Sequence, residues 1–233
     1  MDGLTFVAEL LNGLLARPDA AILGFWHGLA ETCGAWLTPL MKIISLLGEK
    51  GLLFFALAAV LMCMRKTRRI GVCVFGAVCC GALITNILLK DAVARPRPFL
   101  MTEQFRQWWE FVGAPAEDGF SFPSGHATAA AAGALALALT SRRKAAWAWL
   151  AFPVAVAASR NYLMAHYPSD VAAGLVIGAL SALIAYAITN LIFRFLRAHK
   201  RWNWCRWILR FDVPHALKKR RAAGARERVA DGE

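Results

Sequence analysis

Three short polar clusters interrupt an otherwise apolar chain, and the residue types they gather are those that bind and transfer a phosphoryl group. The first runs from Lys90 to Pro98 and ends in Arg95-Pro96-Arg97-Pro98. The second is Pro123-Ser124-Gly125-His126, and the third runs from Ser159-Arg160 through His166 to Asp170. In phosphoryl transfer a protein mostly positions the group and neutralises its equatorial oxygens, so cations and backbone donors are the equipment required. Ser124 is a good N-cap, Gly125 permits close backbone approach, and the helix they open offers free N–H groups to an anion. A Ser-Gly helix start is by itself an ordinary cap. His126 beside it adds a proton donor for a ligand held there.

In the third cluster His166 and Asp170 lie four residues apart, so they share one face if helical, and in a turn the carboxylate still reaches an imidazole nitrogen. A carboxylate on one ring nitrogen sets the tautomer and leaves the other free as nucleophile or base. The plainer reading is a His that ends one span beside an Asp that caps the next. Arg160 closes a long apolar run, where an unpaired guanidinium is costly, so it requires an anion: Asp170 or a bound phosphate. Arg97 sits between two prolines in a stiff, extended segment that presents its side chain, and a guanidinium fork matches phosphate oxygens. Lys90 supplies a point charge, or simply snorkels from the end of its helix. Arg95 is a further candidate for assisting phosphate.

The elements that must hold these clusters are membrane helices. The chain has 233 residues, enough for one domain, and is 58% hydrophobic, with mean hydropathy +0.47; soluble domains run at about 45–50% apolar. Five apolar runs stand out, at Gly51–Met64, Ile70–Leu89, Gly125–Thr140, Ala145–Ala158 and Val171–Phe195. Their lengths approach the ~20 residues that a bilayer core demands of a helix. Ala20–Leu47 is apolar on average but carries His27, Glu31, Pro39 and Lys42, so it spans as a broken helix or lies partly in the interface. Leu4–Leu15 reads as an amphipathic, interfacial segment. The expected fold is an all-α polytopic membrane helix bundle of about six transmembrane helices, five of them clear. Residues 1–198 form the membrane-embedded domain, with residues 90–170 holding the clusters, and residues 199–233 form a basic, Trp-containing tail.

Loop charge gives the orientation. Arg65-Lys66-Thr67-Arg68-Arg69 separates the first two runs, Arg142-Arg143-Lys144 the third and fourth, and an Arg/Lys-rich tail follows the fifth. If the chain alternates sides, these stretches share one face, which the positive-inside rule makes cytoplasmic. All three polar clusters then fall on the extracytoplasmic face. Between them, Asp91–Phe122 mixes Trp108, Trp109 and Phe111 with Glu103, Glu110, Glu117 and Asp118; it is either a short interfacial helix near a lipid's access route or a plain linker.

The net charge of +12, from 27 Lys+Arg against 15 Asp+Glu, is concentrated at the C-terminal end. A basic segment after a membrane span points to anionic lipid and cytoplasmic placement, with no nucleic-acid partner. Trp202, Trp204 and Trp207 among the cations fit an interfacial basic helix that anchors topology. Cys63, Cys73, Cys79 and Cys80 lie inside apolar runs as small hydrophobes, and no Cys/His spacing suits a structural zinc. His27, His199 and His215 show no partner pattern. The N-terminus lacks the basic start of a cleavable signal peptide.

Lys90-(six residues)-Arg97-Pro98, then Pro123-Ser124-Gly125-His126, then Ser159-Arg160-(five residues)-His166-(three residues)-Asp170 resembles the type-2 phosphatidic acid phosphatase superfamily at each signature position, over roughly Gly51 to Phe195. The resemblance implies a membrane phosphatase domain and a role for each residue. His166 attacks phosphorus and forms a phosphohistidine, and Asp170 orients it. His126 protonates the leaving oxygen and then activates water. Lys90, Arg97 and Arg160, with the Ser124 hydroxyl and the Gly125 N–H, hold the phosphoryl oxygens. No metal or cofactor enters this scheme. The implied substrate is a membrane lipid phosphate or diphosphate: undecaprenyl diphosphate first, then phosphatidic acid or phosphatidylglycerol phosphate. A phosphotransferase using the same intermediate is the alternative enzyme, and a lipid transporter the non-enzymatic one. The continuous apolar runs exclude the soluble haloperoxidases of that superfamily.

Overall fold

In a computed structural model that describes residues 4–213, the chain is helical, with no strand among the described residues. The chain builds helices α1 (Phe6–Gly48), α2 (Leu52–Cys63), α3 (Arg68–Ala82), α4 (Lys90–Val93), α5 (Pro98–Met101), α6 (Glu103–Phe111), α7 (Gly125–Thr140), α8 (Ala151–Tyr162), α9 (Pro168–Ala198) and α10 (Asn203–Arg210). Among the described residues, three stretches are long and apolar enough to cross a membrane: Phe6–Cys63, Arg68–Met101 and Pro168–Ala198; Gly125–Thr140 is apolar but shorter. The chain is a multi-pass membrane protein.

The apolar runs became helices with informative differences. The run Ile70–Leu89 widens into a π-helix at Leu83–Leu89 before α4. The run Ala145–Ala158 opens as a 3-10 helix at Lys144–Leu150, and α8 continues past Ala158 to Tyr162. At the N-terminus the two expected segments join: from Phe6 onward Leu4–Leu15 and the whole of Ala20–Leu47 belong to one helix, α1, with Pro18 and Pro39 inside it. An interior proline removes a helix hydrogen bond, and here contacts to the rest of the protein compensate. Thr5 bonds the Val93 carbonyl, Thr38 the Tyr162 hydroxyl and Ser45 Arg160. Along its length, α1 therefore follows the end of the bundle that carries the polar clusters. The linker Asp91–Phe122 does contain helix, α6, capped by Thr102, whose hydroxyl accepts the Phe105 N–H.

The core is built on close approach. Eleven residues of α7, nearly all Ala or Gly, are buried, the small-residue packing expected where helices cannot rely on water to drive them together. A Cβ on Gly178 would come within 2.4 Å of the Thr128 carbonyl oxygen, and one on Gly133 within 2.2 Å of the Phe54 ring. Gly174 faces Ser124 and Gly178 faces Thr128, so α7 and α9 run parallel, both starting at one end. Gly81 meets Thr128 and Gly76 meets Ala185, so α3 runs antiparallel to both. Outward, Leu180, Leu191 and Val60 are more than half exposed, as a surface facing hydrocarbon requires.

This arrangement separates two ends. At one, Lys90, Ser124 to His126 and Arg160 to Asp170 converge. At the other, Arg69 bonds Asn190 of α9, and Arg68 bonds the Ile208 and Phe211 carbonyls of the α10 region. The tail beyond Val213, including His215 and most of its cations, lies outside the described residues.

Candidate active site

Each cluster is delivered by a local device. The π-helix brings Asn86 and Lys90 to a cavity of about 540 Å³; such widened turns recur where a helix is bent to function. Ser124 accepts the Ala127 N–H and starts α7, which aims His126 into the same cavity. The turn from Leu163 to Tyr167 places His166 between α8 and α9, and Asp170, in the first turn of α9, reaches back to accept the N–H of the N-cap residue Tyr167 at 3.1 Å.

Lys90, Arg97, Gly125, His126, Arg160 and His166 line the cavity together. Ser124 and Asp170 do not: both are fully buried behind it, Ser124 as a helix cap and Asp170 as a hub of hydrogen bonds. The nearest acceptor for His166 Nδ1 is the Ser121 carbonyl at 2.7 Å, while the Asp170 carboxylate is 3.9 Å away. Ser121 links the two, since its hydroxyl bonds Asp170 Oδ2. With Nδ1–H donated to a carbonyl, the assigned tautomer leaves Nε2 as the free lone pair. Burial first, then the neighbouring Arg160 and Arg97 charges, holds the His166 imidazole well below its ordinary pKa, so it is neutral and nucleophilic near pH 7.

The guanidiniums are held tightly. Arg97 donates to the carbonyls of Gly119, Ala165 and Asp118, at 3.0, 2.8 and 2.6 Å. Arg160 donates to Ser45 at 2.6 Å and keeps its Nε without a protein partner. Between them lies a residue that sequence reasoning left unassigned. Glu117 pairs with Arg97 at 3.0 Å through one oxygen and with Arg160 through the other. Its carboxylate stands where two oxygens of a phosphoryl group would meet the same two forks.

Other residues fall differently from expectation. Arg95 is not a cavity ligand; its donors are spent on Asn12, Ser169, Asp170 and Asp19. His27 does have a partner, Glu31 one turn on at 3.4 Å, and stacks on Trp108 at 4.7 Å, away from the cavity. His199 bonds the Phe195 carbonyl and packs among Phe195 and Trp202. Lys42 and Lys50 also line the cavity, from α1 and the turn after it. A charge inside an apolar stretch was the available signal for Asp19 and Lys42. Nothing in the spacing signalled Ser121.

A family model described as the PAP2 superfamily matches residues 70–194. The lipid A 1-phosphatase of Rhizobium etli is 33% identical over 166 residues, 69% of either chain. That of Rhizobium johnstonii is 34% identical over 131 residues, 54% of this chain and only 51% of that protein's length. The undecaprenyl-diphosphatase of Sulfolobus acidocaldarius is 29% identical over 156 residues, 67% of this chain and 72% of that one. In fold, the chain is similar to the transmembrane PAP2-type phosphatidylglycerolphosphate phosphatase of Bacillus subtilis, with a TM-score of 0.62 at 24% identity over 80% of this chain and 92% of that one.

Proposed function

The chain belongs to the PAP2 superfamily, and on that premise we propose that it is a membrane phosphatase that removes phosphate from a lipid phosphate or diphosphate through a phosphohistidine. The observation that carries this reading is His166: its Nδ1 is fixed on the Ser121 carbonyl at 2.7 Å while its ring lines a cavity with Lys90, Arg97 and Arg160. In the first half-reaction Nε2 forms a bond to phosphorus, the P–O bond to the lipid breaks, and His126 gives its proton to the leaving oxygen. In the second, His126 takes a proton from water, the oxygen bonds to phosphorus, and the P–N bond breaks to release orthophosphate. Lys90, Arg97, Arg160 and the Gly125 N–H neutralise the oxygens throughout. Ser124 acts by starting the helix that presents Gly125 and His126, and Asp170 supports His166 through Ser121.

A cavity at one end of a membrane bundle selects a phosphate at headgroup level with its tail in lipid. The substrates we propose are undecaprenyl diphosphate and, from the likeness to the two Rhizobium enzymes, a lipid A phosphate; phosphatidic acid and phosphatidylglycerol phosphate follow. The cavity faces the extracytoplasmic side, because the basic stretches lie at the opposite end of the bundle. Residues 1–198 form the phosphatase domain, and the basic tail from residue 199 lies on the cytoplasmic surface against anionic lipid.

Purified protein in detergent, offered a panel of these lipids with and without chelator, tests the proposal. Orthophosphate should appear without any lipid acceptor and with chelator present, and an acid-labile phosphoprotein should form. His166→Ala should abolish both while remaining folded. Turnover by His166→Ala near that of the unaltered protein would refute the scheme; release only when an acceptor lipid is supplied would favour the phosphotransferase.

A further inference from the structure

Behind His166, one guanidinium is shared by two carboxylates. Arg95 Nη1 donates to Asp170 Oδ1 at 2.5 Å, and Nη2 to Asp19 Oδ2 at 3.0 Å. Its Nε donates to Asn12 Oδ1 at 2.8 Å, and its carbon lies 3.9 Å from the Tyr167 ring centroid. Asp19 accepts the Ser169 N–H at 2.9 Å and the Ser169 hydroxyl at 2.6 Å, so it also holds the turn that presents Asp170. Asp19, Arg95 and Asp170 are exposed by only 2%, 1% and 0%.

A single guanidinium is enough to neutralise Asp170, and burying an additional carboxylate is costly. Asp19 secures the Ser169 turn, and as a second carboxylate on Arg95 it also changes the field at Asp170. With Asp19 present, Arg95 divides its charge, and Asp170 retains negative field toward Ser121 and His166. That field matters when the His166 Nε2 bonds phosphorus, because the ring then carries positive charge while Nδ1–H stays on the Ser121 carbonyl.

We propose that Asp19 and Arg95 are positioning residues for the reaction: helix α1, through the Asp19–Arg95–Asp170 chain, sets how strongly Asp170 supports His166. The inference rests on the phosphohistidine reading above. It extends the site beyond the family-matched residues 70–194, because Asn12 and Asp19 both lie on α1. A second consequence concerns pH. The charged and titratable groups facing His166 are Arg160, Arg97, His126, Lys90 and Asp170, with Glu117 lining the same cavity on Arg97 and Arg160; Asp19 modulates Asp170 through Arg95. Removing the Asp19 charge lets Arg95 engage Asp170 more fully, so His166 is harder to protonate.

The test is steady-state hydrolysis of a lipid phosphate by the full-length protein and its Asp19→Asn, Asp19→Glu and Arg95→Lys variants, each checked for folding by thermal melt and gel filtration. Asp19→Asn should lower kcat about ten-fold with KM held within about two-fold, the signature of an interaction strengthened in the transition state. Asp19→Glu should recover most of that loss. The acid limb of kcat/KM should move to lower pH by roughly a few tenths of a unit in Asp19→Asn. In an Asp170→Asn background the same substitution should cost nothing further, as a double-mutant cycle requires of residues acting in one chain. An equal loss in both backgrounds, or an unmoved acid limb, would overturn the inference, as would Asp19→Asn with unaltered kcat. Absence of phosphate release by the unaltered protein would instead overturn the phosphatase reading, and this one with it.

Discussion

Glu117 should be a competitor of the substrate. Its carboxylate bridges Arg97 at 3.0 Å and Arg160, the two guanidiniums best placed for phosphoryl oxygens, and its side chain is 10% exposed. An arriving phosphate must take these forks from it, and the freed carboxylate then sits beside a second anion. Replacing Glu117 by Gln removes the charge and leaves an amide oxygen able to accept one hydrogen bond. The difference is roughly one charge-assisted hydrogen bond, about 1.5–3 kcal/mol. That converts to about ten- to hundred-fold tighter binding of orthophosphate, at ~1.4 kcal/mol per decade. Product inhibition by orthophosphate, measured against a soluble short-chain lipid phosphate, reads this directly: the inhibition constant of Glu117→Gln should fall by that factor. An unchanged or weaker inhibition constant would refute the reasoning, and would make Glu117 a brace that holds the two arginines in place for the ligand.

Three further outcomes follow from geometry. His166, depressed first by burial and then by Arg160 and Arg97, binds fewer protons folded than unfolded, so its contribution to stability is complete above its ordinary pKa near 6.5 and declines as pH falls below that value. A nitrogen-15 titration of the free protein should show its ring neutral at about pH 6, and a protonated ring there would contradict the burial argument. Gly178→Ala forces a Cβ to within 2.4 Å of the Thr128 carbonyl oxygen, so it should cost about 1–3 kcal/mol, seen as a lower melting temperature in detergent; an unaltered melt would show that α7 and α9 can separate freely. Finally, a reporter fused after Arg69 or Lys144 should read cytoplasmic, and a periplasmic reading would invert the proposed orientation.

Much of the site was legible because its residues are out of place. Lys90, Arg97, His126, Arg160 and His166 are polar groups at the ends of apolar runs, and such groups need a reason. Their meeting at one cavity is geometry that alternating helices make natural. What was illegible has two causes. The Ser121 contribution to His166 is a backbone carbonyl, which any residue type supplies, so no letter of the sequence marks it. Glu117 was one of several acids in Asp91–Phe122, and its two partners, Arg97 and Arg160, lie on either side of it in sequence, joined only by the folded loop. For Arg95 the local context misled: a cation in Arg-Pro-Arg-Pro reads as a phosphate ligand, but a carboxylate 76 residues earlier claims it. The continuity of α1 was missed for a related reason, since Pro18 and Pro39 argue locally for breaks that tertiary contacts override.

The parallel course of α7 and α9 has a thermodynamic consequence. Parallel helices that start side by side set two positive dipole ends next to each other, an arrangement that repels itself. In α9 the first turn contains Asp170, but the first turn of α7 has no acidic residue. An anion in the cavity supplies the missing countercharge, so occupancy and bundle stability are coupled by mass action. The protein should therefore be more stable with ligand bound. A phosphate-free detergent buffer is then its harshest environment, and saturating orthophosphate should prolong its life in solution even though it inhibits turnover.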